Sequence, residues 1–286
     1  MRGRVRLAPP PAHLTMGGVG RRYRVRVSSS WSGTAAAYEV SFARLCAGTV
    51  EDLLAALGPA GTGRRMLDAG CGPGTVAAAA RAAGFAVVGL DADPSMLDLA
   101  RRRDRTAELV CAALPHLPFA SRQFDAVAAN FVVNHTPDPR ASVRELARVA
   151  RPGGRVAVTI WAAAVGPMNQ LWDDVVAAAA VERPPARALP PDRDFDRTAT
   201  GLAGLLAQAG LTDVAVREVG WVFRTSAADL WQAVSGGVAT IGQTYRAQRP
   251  AVQDEMRAAY LRLTAERYPS GELVLPSVAL LGSATA

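Results

Sequence analysis

The stretch Met66-Leu67-Asp68-Ala69-Gly70-Cys71-Gly72-Pro73-Gly74-Thr75 decides how this chain folds. It joins a short apolar strand, predicted at residues 65–69, to an alanine-rich helix predicted at residues 75–83. The three glycines between them permit a tight turn and let a ligand approach the backbone directly. The unpaired N–H groups at the start of the helix favour a carboxylate or a phosphate there. We therefore predict a strand–loop–helix unit that binds a ligand.

Outward from this loop, segments typical of strands and of helices alternate along the sequence. The other strands are predicted at residues 86–90, 108–114, 124–133, 155–161, 214–223 and 273–281, and the other helices at 35–57, 94–103, 138–150, 168–181, 198–209, 226–234 and 252–267. Runs such as Val87-Val88-Gly89-Leu90 do not alternate with polar residues, which indicates strands covered on both faces. The predicted fold class is α/β: a doubly wound, mostly parallel, seven-stranded sheet. A helix precedes the sheet, and a helical lid is inserted before the last strand.

The excess basic charge is confined to the start of the chain. The formal net charge is +7, residues 1–34 contain seven arginines and no acid, and the 25 arginines that remain balance 25 acids. A protein that binds nucleic acid through its body needs a basic surface there, so this distribution disfavours a nucleic-acid partner. We expect residues 1–34 to form a flexible basic arm. Met1 and Met16 both remain open as the natural start.

The counts of cysteine and histidine exclude several other classes. Cys46, Cys71 and Cys111 are odd in number and widely spaced, which fits neither a disulfide framework nor a zinc knuckle. Three histidines in the whole chain disfavour a metal site, so we predict none. No run of 18 apolar residues and no apolar signal core is present. We expect a soluble, cytoplasmic monomer or homodimer that does not contact a membrane.

A second acid sharpens the prediction of the ligand. Asp91 ends the second predicted strand, where a carboxylate accepts hydrogen bonds from a ribose diol. The glycines follow G-x-G-x-G rather than the G-x-G-x-x-G of dinucleotide sites, which disfavours a nicotinamide-dependent oxidoreductase. Asp68 disfavours a pyrophosphate and suits an ammonium group. S-adenosylmethionine carries an amino acid at one end and an adenosine at the other, so it fits both acids.

At these residues the chain resembles the class I S-adenosylmethionine-dependent methyltransferases, within them the small-molecule branch (methyltransferase type 11) that includes the quinone C-methyltransferases. Besides the loop, the matching stretches are Gly89-Leu90-Asp91-Ala92-Asp93-Pro94-Ser95-Met96-Leu97, Leu117-Pro118-Phe119 before Phe124-Asp125, and Arg148-Val149-Ala150-Arg151-Pro152-Gly153-Gly154. The resemblance implies a Rossmann-like methyltransferase fold. It also implies methyl transfer to an O, N or C atom of a small apolar or aromatic metabolite, with release of S-adenosylhomocysteine. It places this reaction in bacterial secondary metabolism, such as antibiotic biosynthesis.

The resemblance also assigns residues to the cofactor. Asp68 and the glycine loop hold the methionine part, Asp91 holds the ribose, and Ala92 and Met96 flank the adenine. Relatives commonly carry an acid for the adenine amino group after the third strand, and this chain lacks it. The implied cofactor-binding residues are Tyr38, Asp68, Ala69, Gly70, Cys71, Gly72, Gly74, Asp91, Ala92, Met96, Ala112, Ala113, Leu114 and Asn130.

The acceptor side is predicted from the resemblance and from the aromatic residues of the second half. His135 is the candidate general base, because a neutral imidazole takes a proton from a hydroxyl; a wall of the pocket is its alternative role. Large aromatic side chains suit an apolar acceptor, and ordinary core packing is their alternative role. The predicted substrate-binding residues are Tyr38, Phe42, Asn134, His135, Trp161, Trp172, Trp231 and Tyr245.

We divide the chain into the arm at residues 1–34 and a methyltransferase domain at 35–286. Within the domain, residues 62–161 form the cofactor-binding core, and residues 35–60, 162–200 and 224–270 supply acceptor-binding and lid elements. Two alternatives stay open. One is a nucleic-acid methyltransferase that uses the arm, and the other is a relative that binds S-adenosylmethionine while it catalyses a cyclisation or an elimination.

Overall fold

The computed structural model describes residues 33–61, 63–163, 166–183 and 189–286. Its strands are β1 (Arg65–Ala69), β2 (Ala86–Asp91), β3 (Glu108–Cys111), β4 (Phe124–Asn130), β5 (Ala150–Trp161), β6 (Thr212–Ser226) and β7 (Glu272–Thr285). Its α-helices are α1 (Ala35–Val40), α2 (Phe42–Cys46), α3 (Val50–Leu57), α4 (Thr75–Ala82), α5 (Pro94–Arg103), α6 (Pro139–Val149), α7 (Pro167–Ala178), α8 (Ala199–Gln208), α9 (Ala227–Ser235), α10 (Ala239–Arg246) and α11 (Pro250–Arg267).

The strands form one seven-stranded sheet in the order β3-β2-β1-β4-β5-β7-β6. Strands β1 to β5 run parallel to one another, and β7 is antiparallel to both β5 and β6. The order reverses between β1 and β4, which is where open α/β sheets bind their ligands, beyond the carboxyl ends of the strands. The predicted doubly wound, mostly parallel sheet of seven strands is confirmed.

Helices cover both faces of the sheet, as the continuous apolar strands predicted. On one face α6 packs against β4 and β5 and α8 packs against β6 and β7, for example through Leu146 and Leu202. On the other face α3 and α4 pack against β1 and β4, for example through Leu53, Val76 and Met66. Alanines such as Ala77, Ala80, Ala126 and Ala128 lie between these closely packed layers.

A helical layer lies at the carboxyl edge of the sheet. It consists of α9, α10 and α11, inserted between β6 and β7, and it packs against α2 and α7 around Leu171, Trp172, Leu230 and Tyr260. Because β6 runs parallel to β5, its last residue lies at the same edge as the ends of β1, β2 and β4. The predicted insertion before the last strand is confirmed, and it lies on the side of the sheet where the glycine loop lies.

The prediction of one continuous N-terminal helix over residues 35–57 is wrong. The helix breaks at Ser41, whose φ of −123° and ψ of −91° are not helical and whose Oγ donates to the carbonyl of Ala37 at 2.5 Å. A short 3₁₀ helix, Ala47–Thr49, then separates α2 from α3. Gly48 lies against the indole of Trp221, where a Cβ would collide with the ring. These breaks let the segment bend over the edge of the sheet.

Several predicted boundaries also differ. β4 ends at Asn130 rather than at residue 133, because Phe131 adopts a positive φ of 56°. β3 ends at Cys111 rather than at residue 114. Helix α10 was missed, since Gly236 and Gly237 were interpreted as a break alone.

The arm up to residue 32 and the proline-rich residues 184–188 lie outside the described residues. Across the described ranges, no helix is long and apolar enough to span a membrane.

Candidate active site

The glycine loop between β1 and α4 is fixed to the neighbouring strand β2. The N–H groups of Gly70 and Cys71 both donate to the carbonyl of Leu90, at 2.7 and 2.8 Å. The three loop glycines have positive φ values of 77°, 51° and 81°. A side chain at Gly70 would in addition collide with Val132, which follows β4. The loop is therefore a rigid turn that only glycine accommodates, and its backbone lies at the surface of a cleft.

Asp91 ends β2 and supports the same loop. Its Oδ2 accepts the N–H of Gly72 at 2.8 Å, and its Oδ1 accepts the N–H of Asp93 at 2.9 Å. Burial raises the pKa of Asp91, and these backbone hydrogen bonds oppose part of that rise. Each carboxylate oxygen has a second lone pair, so each retains the capacity to accept from one hydroxyl of a diol.

Asp68 is a buried acid without a counter-charge. Its side chain is fully buried, and neither oxygen accepts a hydrogen bond from any residue that the structure describes. Burial raises the pKa of Asp68 to about 7, and the negative charge of Asp91 adds to the rise; the nearby backbone N–H of Ala77 opposes part of it without forming a hydrogen bond of normal geometry. A buried carboxylate without a partner is unfavourable. The position therefore suits a ligand that brings a positive charge and N–H donors.

A cleft separates the glycine loop from the N-terminal helices. It contains about 310 Å³ of empty space, part of which is open to solvent. It is lined by Tyr38, Ala43, Cys46, Ala47, Gly70, Cys71, Gly72, Pro73, Thr75, Val76 and Asn130. The Tyr38 hydroxyl hydrogen-bonds to the Cys46 thiol, and burial raises the pKa of Tyr38 and raises that of Cys46 to about 12. Of the predicted residues, Tyr38, Gly70, Cys71, Gly72 and Asn130 thus meet at one cleft.

Asn130, the last residue of β4, is held by a network of hydrogen bonds. Its Oδ1 contacts the hydroxyls of Thr49 at 2.8 Å and of Thr159 at 2.5 Å, and its Nδ2 donates to the carbonyl of Cys46 at 3.1 Å. Both threonines are fully buried. The network ties the N-terminal layer to β4 and β5 at the floor of the cleft.

The residues predicted around adenine lie beyond Asp91. Ala112 donates its N–H to the carbonyl of Asp91 at 3.1 Å, so the ends of β2 and β3 are adjacent. Met96 is buried against Ala35 of α1. The remaining residues of the predicted set lie in or beside the segments that follow β1, β2 and β3: Ala69 and Leu114 are buried, Ala92 and Ala113 are half-buried, and Gly74 precedes α4. Their contact with adenine stays a prediction.

Three aromatic rings meet where β4 and β5 end. Phe131 and Trp161 stack with centroids 4.2 Å apart, and Trp221 of β6 lies 5.9 Å from Trp161 and 6.3 Å from Phe131. The Nε1 atom of Trp221 is buried and has no hydrogen-bond partner among the described residues. We call this group the aromatic wall. It adjoins Cys46, whose side chain also lines the cleft.

The other predicted acceptor-binding aromatics lie in the helical layer. Trp172 stacks on Tyr260 with centroids 5.3 Å apart, and Trp231 lies 5.0 Å from Tyr260 and 5.4 Å from Tyr245. Phe42 is buried in the same cluster. The structure does not bring these four predicted residues to the lining of the cleft. Their alternative role in core packing accounts for the positions of Trp172 and Phe42, and contact with an acceptor stays a prediction.

Asn134 and His135 lie on a short 3₁₀ helix after β4. Their side chains are 3.4 Å apart, between Asn134 Nδ2 and His135 Nε2. Although His135 is exposed at the surface, the protein atoms around the ring lower its pKa to about 4, and the charge of Arg197 adds to this. The imidazole is therefore neutral at pH 7, as a general base requires.

Sequence reasoning missed Thr49, Thr159, Phe131 and the role of Cys46. Each belongs to a different element, and none stands in a motif with the glycine loop. One signal in the sequence indicated this region: two strands end in a polar or an aromatic residue, Asn130 and Trp161. No three His, Cys, Asp or Glu side chains in the described ranges are grouped to hold a metal ion.

The match to a known family covers the elements that build this site. Residues 67–158, from β1 into β5, match the protein-family model described as a methyltransferase domain. Over these residues the chain is similar to the class I S-adenosylmethionine-dependent methyltransferases. The resemblance found in the sequence motifs is thereby confirmed. The chain is also similar to curated proteins of this kind.

Two of these relatives show how far the similarity extends. The malonyl-[acyl-carrier protein] O-methyltransferase of Enterobacter lignolyticus (strain SCF1) is 38% identical over 157 residues, which cover 54% of this chain and 61% of that protein. The demethylmenaquinone methyltransferase of Clavibacter sepedonicus is 41% identical over 99 residues, 34% of this chain and 40% of that protein. The chain thus spans less than two thirds of the length of either relative.

A solved structure shares the fold. The phosphoethanolamine N-methyltransferase 2 of Haemonchus contortus, in complex with S-adenosyl-L-methionine, superimposes with a TM-score of 0.52 at 18% identity. The match covers 91% of this chain and 60% of that chain. This likeness supports the architecture of the sheet and helices.

The residues of the glycine loop and the two acids beside it fit S-adenosylmethionine. The buried oxygens of Asp68 have no partner in the described part of the chain, which suits the ammonium group of the amino-acid end. The carboxylate of Asp91 has capacity for two hydroxyls, which suits the ribose. The glycine loop lies between the two acids and leaves its backbone open to the ligand.

Proposed function

We propose that the chain transfers a methyl group from S-adenosylmethionine to an O, N or C atom of a small apolar or aromatic acceptor. The observation that carries this proposal is the fully buried, unpaired carboxyl of Asp68 beside the glycine loop and Asp91. A fold that only needed stability has no reason to bury an acid in this way. A cationic ligand that binds next to Asp68 balances its charge and accounts for the burial of this acid.

The residues of the cleft have separate roles in this proposal. Asp68 and the glycine loop bind the amino-acid end, and Asp91 binds the ribose hydroxyls. When bound, S-adenosylmethionine supplies a methyl group on a strongly electrophilic sulfonium. Since little acid–base help is then needed, the protein contributes mainly by holding the acceptor in line with that methyl group. In this proposal His135, on the 3₁₀ helix that follows β4, uses its neutral imidazole to take a proton from an acidic acceptor group.

The aromatic wall supports an apolar or aromatic acceptor. Phe131 and Trp161 lie at the ends of β4 and β5, next to the cleft residues Asn130 and Cys46. Flat aromatic surfaces bind planar or apolar molecules through contact area and stacking. The names of the two relatives mention malonyl-[acyl-carrier protein] and demethylmenaquinone, which differ widely. The proposed place in bacterial secondary metabolism rests on the family resemblance alone.

Two measurements test this function. Calorimetry with S-adenosylmethionine and S-adenosylhomocysteine is expected to show one site, which Asp91→Ala weakens and the exposed-site control Asp98→Asn does not. Mass spectrometry with a panel of phenols, quinols and carboxylic acids is expected to show S-adenosylhomocysteine formed in proportion to methylated product. Binding without S-adenosylhomocysteine formation while a product appears would instead support cyclisation or elimination.

The arm provides the test against a nucleic-acid substrate. Removal of residues 1–26 removes all seven arginines of the arm. We expect this truncation to leave the turnover of a small acceptor unchanged. A loss of turnover that appears only with RNA or DNA as the acceptor would favour the nucleic-acid alternative.

A further inference from the structure

The hydrogen bonds around Asn130 determine which way its amide faces. The carbonyl of Cys46 only accepts hydrogen bonds, so the amide atom 3.1 Å from it is the Nδ2. The backbone N–H of Phe131 only donates, and it donates to the Oγ1 of Thr159 at 3.0 Å. The Thr159 hydroxyl proton is therefore directed to the Oδ1 of Asn130, 2.5 Å away. The Cys46 carbonyl, which can only accept, and the Phe131 N–H, which can only donate, thus fix the orientation of the Asn130 amide.

One hydrogen of this amide remains for the cleft. Nδ2 carries two hydrogens, and Cys46 accepts one of them. The Oδ1 atom is occupied on two sides, by Thr159 and by the Oγ1 of Thr49 at 2.8 Å, whose single proton is shared with the carbonyl of Cys46 at 3.0 Å. Asn130 lines the cleft together with Gly70 and Gly72. The amide consequently offers a donor, and not an acceptor, to a molecule in the cleft.

The backbone after Asn130 is also held by Thr159. Phe131 has a φ of 56°, a left-handed conformation that is uncommon for an aromatic residue. Its N–H is bonded to both the carbonyl and the Oγ1 of Thr159, at 3.1 and 3.0 Å. Such backbone conformations persist where the surroundings determine them strongly, and they concentrate at functional sites. The same threonine therefore sets both the turn after β4 and the amide at its end.

We propose that Thr159 and Thr49 are positioning residues that lock the Asn130 amide, so that its second Nδ2 hydrogen donates to the carboxylate of the ligand's amino-acid end. This inference rests on the proposed function, in which that end lies beside Asp68 and the glycine loop. Both threonines are fully buried, so they act on the ligand through Asn130. A carboxylate is the expected partner, because hydrogen bonds to charged acceptors are the stronger ones.

The test compares matched threonine variants with two ligands. S-adenosylhomocysteine carries the amino-acid end, and 5′-methylthioadenosine lacks it. In Thr159→Val, a variant of similar shape without the hydroxyl, we expect the Kd of S-adenosylhomocysteine to rise about tenfold, the lower end of what a charged hydrogen bond contributes. The Kd of 5′-methylthioadenosine is expected to stay unchanged. Thr159→Ser keeps the hydroxyl and is expected to bind S-adenosylhomocysteine as the unmodified protein does.

Two further variants separate positioning from a loss of folding. Thr49 contacts the same amide from the N-terminal layer, so Thr49→Val is expected to show the same ligand-specific loss. Thr225→Val is the control, because Thr225 is a buried strand residue whose hydroxyl has no partner among the described residues. It is expected to change neither Kd.

Each other outcome has a defined meaning. Unchanged binding of S-adenosylhomocysteine by both Thr159→Val and Thr49→Val overturns the positioning role and leaves the proposed function intact. An equal loss for both ligands also overturns it, because the disturbance is then general. If the unmodified protein binds neither ligand, the proposed function itself fails and the positioning role fails with it.

Discussion

The unpaired acid at residue 68 makes a quantitative prediction about stability. Burial raises the pKa of Asp68 from 3.8 to about 7. The unfolded chain thus loses its proton near pH 4, whereas the folded chain keeps it until about pH 7. The unfolded state binds fewer protons in this interval, so the free energy of unfolding falls as the pH rises, by about 1.4 kcal/mol per pH unit. Above pH 7 the total loss levels off at about 4 kcal/mol.

The perturbation is Asp68→Asn, which has the shape of the protonated carboxyl and does not titrate. Urea unfolding without ligand is expected to show the variant about 4 kcal/mol more stable at pH 8. The advantage shrinks to about 1.5 kcal/mol at pH 5, because the folded unmodified protein is then protonated. Asp91, whose pKa is also raised, is retained in both proteins and contributes to both curves. The variant is further expected to gain less stability than the unmodified protein from saturating S-adenosylmethionine.

A surface variant provides the matched control. Asp98→Asn removes an acid that forms an exposed ion pair with Arg101, and it is expected to change stability by less than about 0.5 kcal/mol at every pH. The reasoning is refuted if Asp68→Asn lowers the stability at pH 8, or if its difference from the unmodified protein is the same at pH 5 and pH 8. Either result would mean that Asp68 has a partner in the free protein.

The remaining predictions concern the ribose-binding acid Asp91, the glycine loop, the candidate base His135 and the aromatic wall. Asp91→Ala is expected to weaken S-adenosylmethionine tenfold or more by calorimetry, since it removes hydrogen bonds to a charged group; a full-strength complex would place the site elsewhere. Gly70→Ala is expected to lower the melting temperature and abolish binding, because a Cβ collides with Val132 and the φ of 77° disfavours a side chain. If His135 is the base, the turnover of a phenol stays constant from pH 8 down to pH 5 and falls only near pH 4, where the imidazole gains its proton; a fall centred near pH 6.5 argues against this pKa. Trp161→Ala is expected to raise the KM of an aromatic acceptor about tenfold while the Kd of S-adenosylhomocysteine stays unchanged, and equal effects on both would remove the wall from the acceptor site.

The core of the fold was predictable because its signals are local. The apolar strands, the glycines at 70, 72 and 74, and Asp91 at the end of a strand are each readable within about ten residues. The same holds for the helix α5, which Asp93 caps by accepting the N–H of Ser95 at 2.8 Å. Short-range patterns of this kind depend on backbone conformation and on burial alone, which adjacent residues largely determine.

The errors of prediction arose where distant contacts decide the backbone. Spacing of apolar residues predicted one helix over residues 35–57, yet Gly48 has to lie on the ring of Trp221, which is far away in sequence. The fourth strand was extended past Asn130, because nothing near Phe131 announces a positive φ. Its conformation depends on the hydrogen bonds that its N–H donates to Thr159, a residue of the next strand.

The candidate site divides in the same way between groups that contact a ligand and groups that orient them. A ligand-binding acid or glycine must have a given chemistry at a given place in a motif, so the sequence predicts it. An orienting residue such as Thr49 or Thr159 needs only a hydroxyl at the right point in space, and any element that passes there can supply it. Asn130 joins the two kinds, because it lines the cleft and receives its orientation from both sides of it. The variants of Thr159 and Asp68 therefore test different parts of one site: the first changes geometry without charge, and the second changes charge without geometry.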